Sequence, residues 1–212
     1  MIKNSLLSFL LLVPFYTFGQ INAITESGDE VILYDDGSWV YVADSSTHLA
    51  EAIKMNEKVF KTPKSSTFLV KSKKTDVGVR INPKNWKFTK GKAGQPAEFV
   101  FQNKTEDMYG MIITEKISID IKTLKQIALN NAKSAAPDVK LTNQEYRMVN
   151  GTKVLMMEMK GTIQGVKFVY YGYYYSDDSG SVQFLTYTSQ NLFEEYKKEM
   201  EKLLNGFVVL KK

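Results

Sequence analysis

The segment "VKFVYYGYYYS", residues 166–176, limits this chain more than any other. Five tyrosines, Tyr170, Tyr171, Tyr173, Tyr174 and Tyr175, surround one glycine, Gly172. In an extended strand Phe168, Tyr170, Gly172 and Tyr174 face one way, and Val169, Tyr171, Tyr173 and Tyr175 face the other. A sheet with one wet face alternates apolar with polar residues. Here both faces are aromatic. The segment "VLMMEM", 154–159, repeats the pattern, with Leu155 and Met157 on one side and Val154 and Met156 on the other. Such strands belong at the centre of a sheet covered on both faces. Gly172 is expected to relieve crowding or to admit a neighbouring aromatic ring. Each buried tyrosine hydroxyl needs a partner. Two readings stay open. The tyrosines are the wall of a core, or they form a partly open aromatic groove that stacks on a sugar or grips a peptide. In the second reading Tyr171, Tyr173, Tyr175 and Tyr187 line it.

The flanking sequence supplies the rest of the sheet. "KLTNQEYRMV" turns into "TKVLMMEMKGTI" at Asn150-Gly151, the strongest hairpin signal in the chain. Further turns fall near Gln164-Gly165 and at Asp177-Asp178-Ser179-Gly180, and "SVQFLTYTS" completes a four-strand antiparallel meander. Upstream, "STFLV", "VGVRINPKNWKF", "PAEFVFQN" and "MYGMIITEKISID" read as strands. A helix follows, with Leu124, Ile127, Ala128, Asn131, Ala132 and Ala135 at helical spacing, a cap at Asp120 or Ser118 and a stop at Pro137. The closing helix carries Phe193, Tyr196, Met200, Leu203 and Leu204 as its stripe, with Asn191 in the capping place and Gly206 as C-terminal cap. "FVVL" adds a final edge strand. Runs of strands with segregated helices predict an α+β fold, an antiparallel sheet flanked by helices.

The chain opens with Lys3, an apolar run from Leu6 to Phe18 and small Gly19, the pattern of a signal peptide over 1–19. The run is short for a membrane span and Pro14 interrupts it. The expected product is exported, periplasmic or secreted, with no transmembrane segment after cleavage. Residues 20–43 read as a small β-hairpin module, turning at Asp35-Asp36-Gly37-Ser38. Two strands alone are marginal in water, so this module must pack on something. Residues 44–66 read as a linker holding a short helix with Leu49, Ile53 and Val59 on one side, and 67–212 as the main domain.

Charge is segregated. Seven acids and no lysine or arginine lie between Gln20 and Ile53; twelve basic residues and two acids lie between Lys54 and Lys92. The basic stretch is either a solvated face or a contact for an anionic surface through Lys71, Lys73, Lys74, Lys84, Lys87 and Lys90. Arg80 and Arg147 are the only arginines in the sequence, which argues against nucleic acid, where bidentate recognition favours Arg. The sequence has no Cys and one His, His48, in the linker. Thiol nucleophiles, disulfides and zinc sites rich in Cys or His are therefore not built from these residues. Asp35-Asp36 and Asp177-Asp178 sit in turn contexts and lack the ligand spacing of a calcium loop. No catalytic residue, metal site or cofactor is expected.

Four marks carry a family resemblance: the opening "VRINPKNW", the helix from Ile121 to Ala135, the "VNG" hairpin at 149–151, and the closing "FEEYKKEMEKLLNGFVV". Over roughly Val77 to Leu210 this order resembles the PsbP-like fold, shared by an extrinsic photosystem subunit, a Ran-binding nuclear-import factor and many exported bacterial proteins. Asn85 before Trp86 departs from the Gly-Trp opening usual there. The resemblance implies a sheet sandwiched by helices and a binding or assembly role without shared catalytic residues. The expected function is a non-enzymatic binding or assembly module of the cell envelope, with a protein, peptide or glycan partner. The alternatives are a carboxylate-dependent hydrolase and an envelope-associated structural protein.

Overall fold

A computed structural model describes residues 20–25, 30–34, 37, 39–41 and 53–210. The signal segment 1–19, the Asp35-Asp36 doublet, His48 and the first part of the expected linker helix lie outside the described residues. At the start of the chain β1 (Gln20–Ile24), β2 (Glu30–Tyr34) and β3 (Trp39–Tyr41) form a three-stranded antiparallel meander.

The main sheet has eight strands. It is built from β4 (Met55–Phe60), β7 (Trp86–Lys90), β8 (Ala97–Asn103), β9 (Tyr109–Glu115), β10 (Lys140–Val149), β11 (Thr152–Ile163), β12 (Val166–Asp177) and β13 (Gly180–Ser189). Their order across the sheet is β4-β10-β11-β12-β13-β9-β8-β7. The turn signals hold: Asn150 and Gly151 both take positive φ (51° and 84°), the geometry a two-residue hairpin requires. Long strands follow from these tight turns, and β12 sits among the central strands as its two apolar faces demand.

One segment departs from expectation. Met55–Phe60 is a strand, not the end of a helix, and it joins the main sheet rather than a linker. It pairs parallel to β10, so the sheet is mixed rather than wholly antiparallel. The cause is tertiary. The outer edge of β10 would otherwise leave its backbone groups unpaired, and Phe60 is buried there against the core.

Two layers cover the sheet. Helix α1 (Ile121–Ala135) lies on one face; helix α2 (Phe193–Leu204) lies on the other with a small sheet of β5 (Phe68–Lys71), β6 (Val77–Ile81) and β14 (Phe207–Val209). The apolar side chains divide accordingly. Trp86, Phe101, Tyr171, Tyr173, Phe184 and Met200 pack on the α2 side, and Leu124, Ala128, Met157, Met159, Tyr174 and Leu185 on the α1 side. Burying each large side chain contributes about 1.5–3 kcal/mol.

The helix ends refine the expectations. Asp120 caps α1, its Oδ1 accepting from the Lys122 and Thr123 amides. The N-cap of α2 is Leu192, not Asn191, and it offers no side-chain bond; Glu194 and Glu195 complement the dipole there instead. Gly206 does not end α2 as a left-handed cap. It is needed because a side chain there would fall 2.0 Å from the Arg80 carbonyl oxygen, where β6 crosses close by. Gly172 admits no aromatic ring: a Cβ would meet Leu185 Cδ2 at 2.5 Å and the Phe184 carbonyl oxygen at 2.8 Å.

Candidate functional site

Alternation along β12 sends Tyr171 and Tyr173 under α2, and both are fully buried. β10 presents Arg147 to the same face, since Arg147 pairs with Val154 in the register. Its guanidinium donates to Glu145 Oε1 (2.5 Å), the Tyr171 hydroxyl (2.7 Å), the Tyr173 hydroxyl (3.2 Å) and Glu201 Oε2 of α2 (3.1 Å). Tyr171 donates onward to Glu201 Oε2 (2.9 Å), and Tyr173 to Asn205 Oδ1 (2.8 Å). The guanidinium also stacks on Phe60, 4.4 Å from the ring centroid. Burial pushes both tyrosine hydroxyls well above their ordinary titration range, with Arg147 opposing. Two carboxylates, one guanidinium and two phenols thus bond one another, and Asn205, Asn56 and Lys58 extend the network at its edge. Arg147 is the residue sequence reasoning missed. Its signal was the alternation Glu145, Arg147, Val149 on a strand one place removed from the tyrosines.

The four tyrosines expected to line a groove do not share one. Tyr171 and Tyr173 are sealed in the core. Tyr175, on the same face, is half-buried and donates to Asp177 Oδ2 at 2.9 Å; burial and that bond push its hydroxyl up to about 12. Tyr187 stands opposite Tyr170 and therefore on the α1 face.

The α1 face differs in kind. The helix turns Leu124 and the small residues Ala128 and Ala132 inward, and Ala136 just past its end is buried too. Beside it runs a groove of about 390 Å³. Met111, Ile113, Met159 and Leu185 floor it, and Ile127, Asn131 and Ala135 form the helix wall. Tyr170 and Tyr174 line its inner side, while Glu115 and Gln183 supply polar groups. An aromatic row leads away from it. Tyr170 lies 4.6 Å from Phe168 and 5.9 Å from Tyr187 between ring centroids, and Tyr187 stacks on Tyr109 at 5.5 Å. An open aromatic surface is thus present, built by Tyr170, Tyr187 and Tyr109 on the opposite face from Tyr171.

Polar satisfaction separates the two faces further. Among the described residues, two buried side-chain oxygens have no hydrogen-bond partner, Tyr174 Oη and Gln144 Oε1. Both lie on the α1 face: Tyr174 packs with Leu124 and Leu185, and Gln144 stands opposite Met157. An unpaired buried hydroxyl costs about 1–3 kcal/mol.

The six lysines expected at an anionic surface are all exposed. They sit on β5, in the turns at 72–76 and 82–85, and on β7. Phe68 and Phe88, 5.6 Å apart, bring β5 and β7 together at one edge of the sandwich. None of the six forms an ion pair with a described residue. Among the described residues no three acids or histidines gather to hold a metal ion, and no helix is long and apolar enough to cross a membrane.

No family model matches the chain, and a comparison with curated proteins finds no match. Among solved structures it is similar to cyanobacterial PsbP (CyanoP) from Synechocystis sp. PCC 6803, with 16% identity over 69% of this chain and 94% of that one, at a TM-score of 0.53. A Pseudomonas aeruginosa protein of unknown function aligns at 12% identity over 68% of this chain and 98% of that one, with a TM-score of 0.43. The chain therefore has a PsbP-like fold.

Proposed function

We propose that this chain is an exported, non-catalytic binding module of the bacterial cell envelope, and that its binding site is the groove between α1 and the main sheet. One observation carries the reading: a preformed apolar groove of about 390 Å³ whose inner side holds a buried hydroxyl without a partner. Concave, mostly apolar sites with a few placed polar groups are the usual form of ligand sites. Export rests on the opening residues, Lys3 and the apolar run to Phe18. The hydrolase alternative calls for acids converging on a substrate pocket. Glu145 and Glu201 do converge, but on the Arg147 guanidinium, which uses their oxygens. The test is a screen of small apolar compounds by methyl spectra of the purified protein, beside a hydrolase substrate panel. Shifts at Met111 and Met159 with no turnover support the reading; turnover of a substrate in the panel overturns it.

The lysine edge favours a second contact. Six exposed lysines on the β5–β7 edge, without ion pairs to the described residues, suit an anionic lipid surface. Sedimentation with anionic vesicles at low salt, lost at high salt, is the expected result. Salt-independent sedimentation contradicts it.

A further inference from the structure

The groove's chemistry narrows what it holds. The sequence carries 28 lysines and arginines, yet none of the described ones lines the groove, while Glu115 does. An anionic head group would lose its water there and gain no counter-charge, at a large cost. The other polar groups are neutral: the amides of Asn131 and Gln183 and the hydroxyls of Tyr170 and Tyr174. Each amide can donate and accept, and so suits an uncharged partner. Two methionines in the floor, Met111 and Met159, adapt to planar or chain-like shapes alike. The size suits a molecule of one or two rings, or a short chain.

We propose that the groove beneath α1 takes a small, uncharged, largely apolar molecule bearing one hydrogen-bonding group, which the Tyr174 hydroxyl meets; anions are excluded. This rests on the groove being the binding site. Tyr174 is fully buried and its hydroxyl meets no partner among the described residues, so a ligand bonds it as the ring turns toward the groove and then satisfies a group the fold leaves unsatisfied.

Two dyes with one skeleton test this. N-phenyl-1-naphthylamine is uncharged and carries a single N–H; 8-anilinonaphthalene-1-sulfonate adds a sulfonate to the same rings. The fluorescence of each is titrated against the full chain and against Ala135→Trp, Asn131→Trp and Tyr174→Phe. The two Trp variants fill the groove from exposed positions of α1, so one serves if the other fails to fold. The uncharged dye is expected to bind saturably, at least tenfold more weakly in the Trp variants and several-fold more weakly in Tyr174→Phe. The sulfonate is expected to bind the groove at least tenfold more weakly than the uncharged dye. If the sulfonate binds as tightly and the Trp variants remove it equally, the exclusion of anions is wrong while the groove stands. If neither dye responds to the Trp variants, the groove itself is not the site. If Tyr174→Phe leaves the uncharged dye unaffected, the hydroxyl is not its partner.

Discussion

Tyr171 and Tyr174 stand three residues apart on β12 and point to opposite faces of the sheet, one hydroxyl fully paired and the other bare. Tyr171 accepts from Arg147 at 2.7 Å and donates to Glu201 at 2.9 Å, whereas the Tyr174 hydroxyl meets no partner. The same substitution should therefore act with opposite sign at the two positions. Tyr171→Phe removes one partner from each of Arg147 and Glu201 and is expected to cost about 1–3 kcal/mol. Tyr174→Phe removes an unsatisfied group and is expected to stabilise by up to about 1 kcal/mol. Urea denaturation of both variants measures the pair; destabilisation by Tyr174→Phe equal to that by Tyr171→Phe contradicts the assignment.

Arg147 holds the α2 side together, so its loss should be severe. Arg147→Met leaves Glu145 without a cation and Glu201 with only the exposed Lys58, 3.9 Å away. Breaking a buried ionic network in this way costs about 3–5 kcal/mol. The midpoint of denaturation should fall by that amount, and a loss below about 1 kcal/mol would show that water replaces the guanidinium.

Gly172 is a packing requirement rather than a hinge. Gly172→Ala places a methyl 2.5 Å from Leu185 Cδ2 and 2.8 Å from the Phe184 backbone oxygen. The side chain can shift, but the paired strand cannot, so about 1–3 kcal/mol of overpacking is expected. Calorimetry of the variant checks it.

Glu158 on β11 gives a pH dependence. Burial pushes its carboxyl upward, but bonds from Lys160 and Thr142 and the charge of Lys197 outweigh that and hold it below the usual carboxylate value. The unfolded chain then binds this proton at higher pH than the folded one. Its contribution is fully present above the unfolded value of about 4.3 and is lost as pH falls through the folded value. The stability gap between the native chain and Glu158→Gln should be widest near pH 6 and narrow towards pH 3. A gap that widens with acid would reverse the sign.

Much of the fold was legible because its signals are local. Asn150-Gly151 and Gln164-Gly165 force hairpins whatever surrounds them, and both residues of each pair have positive φ. The double apolar periodicity of Val169 to Tyr175 required cover on both faces, and α1 and α2 provide it. What stayed hidden depends on partners far along the chain. Met55–Phe60 becomes a strand because β10 needs an edge, which no window around residue 55 reveals. Arg147 reads as a surface residue until α2, more than fifty positions later, brings Glu201 to it. The groove was misplaced for a related reason. Counting tyrosines selected Tyr171 and Tyr173, whereas the groove opens on the other face, beside the small residues Ala128 and Ala132 that α1 turns inward.

Methionine methyl spectra put the binding reading to its plainest test, because the two faces carry separate reporters. Met111 and Met159 line the groove, while Met156 and Met200 are buried on the α2 side. Titration with N-phenyl-1-naphthylamine should shift Met111 and Met159, leave Met156 and Met200 in place, and lose its effect in Ala135→Trp. Shifts confined to Met156 and Met200, or groove shifts undiminished in Ala135→Trp, would contradict it.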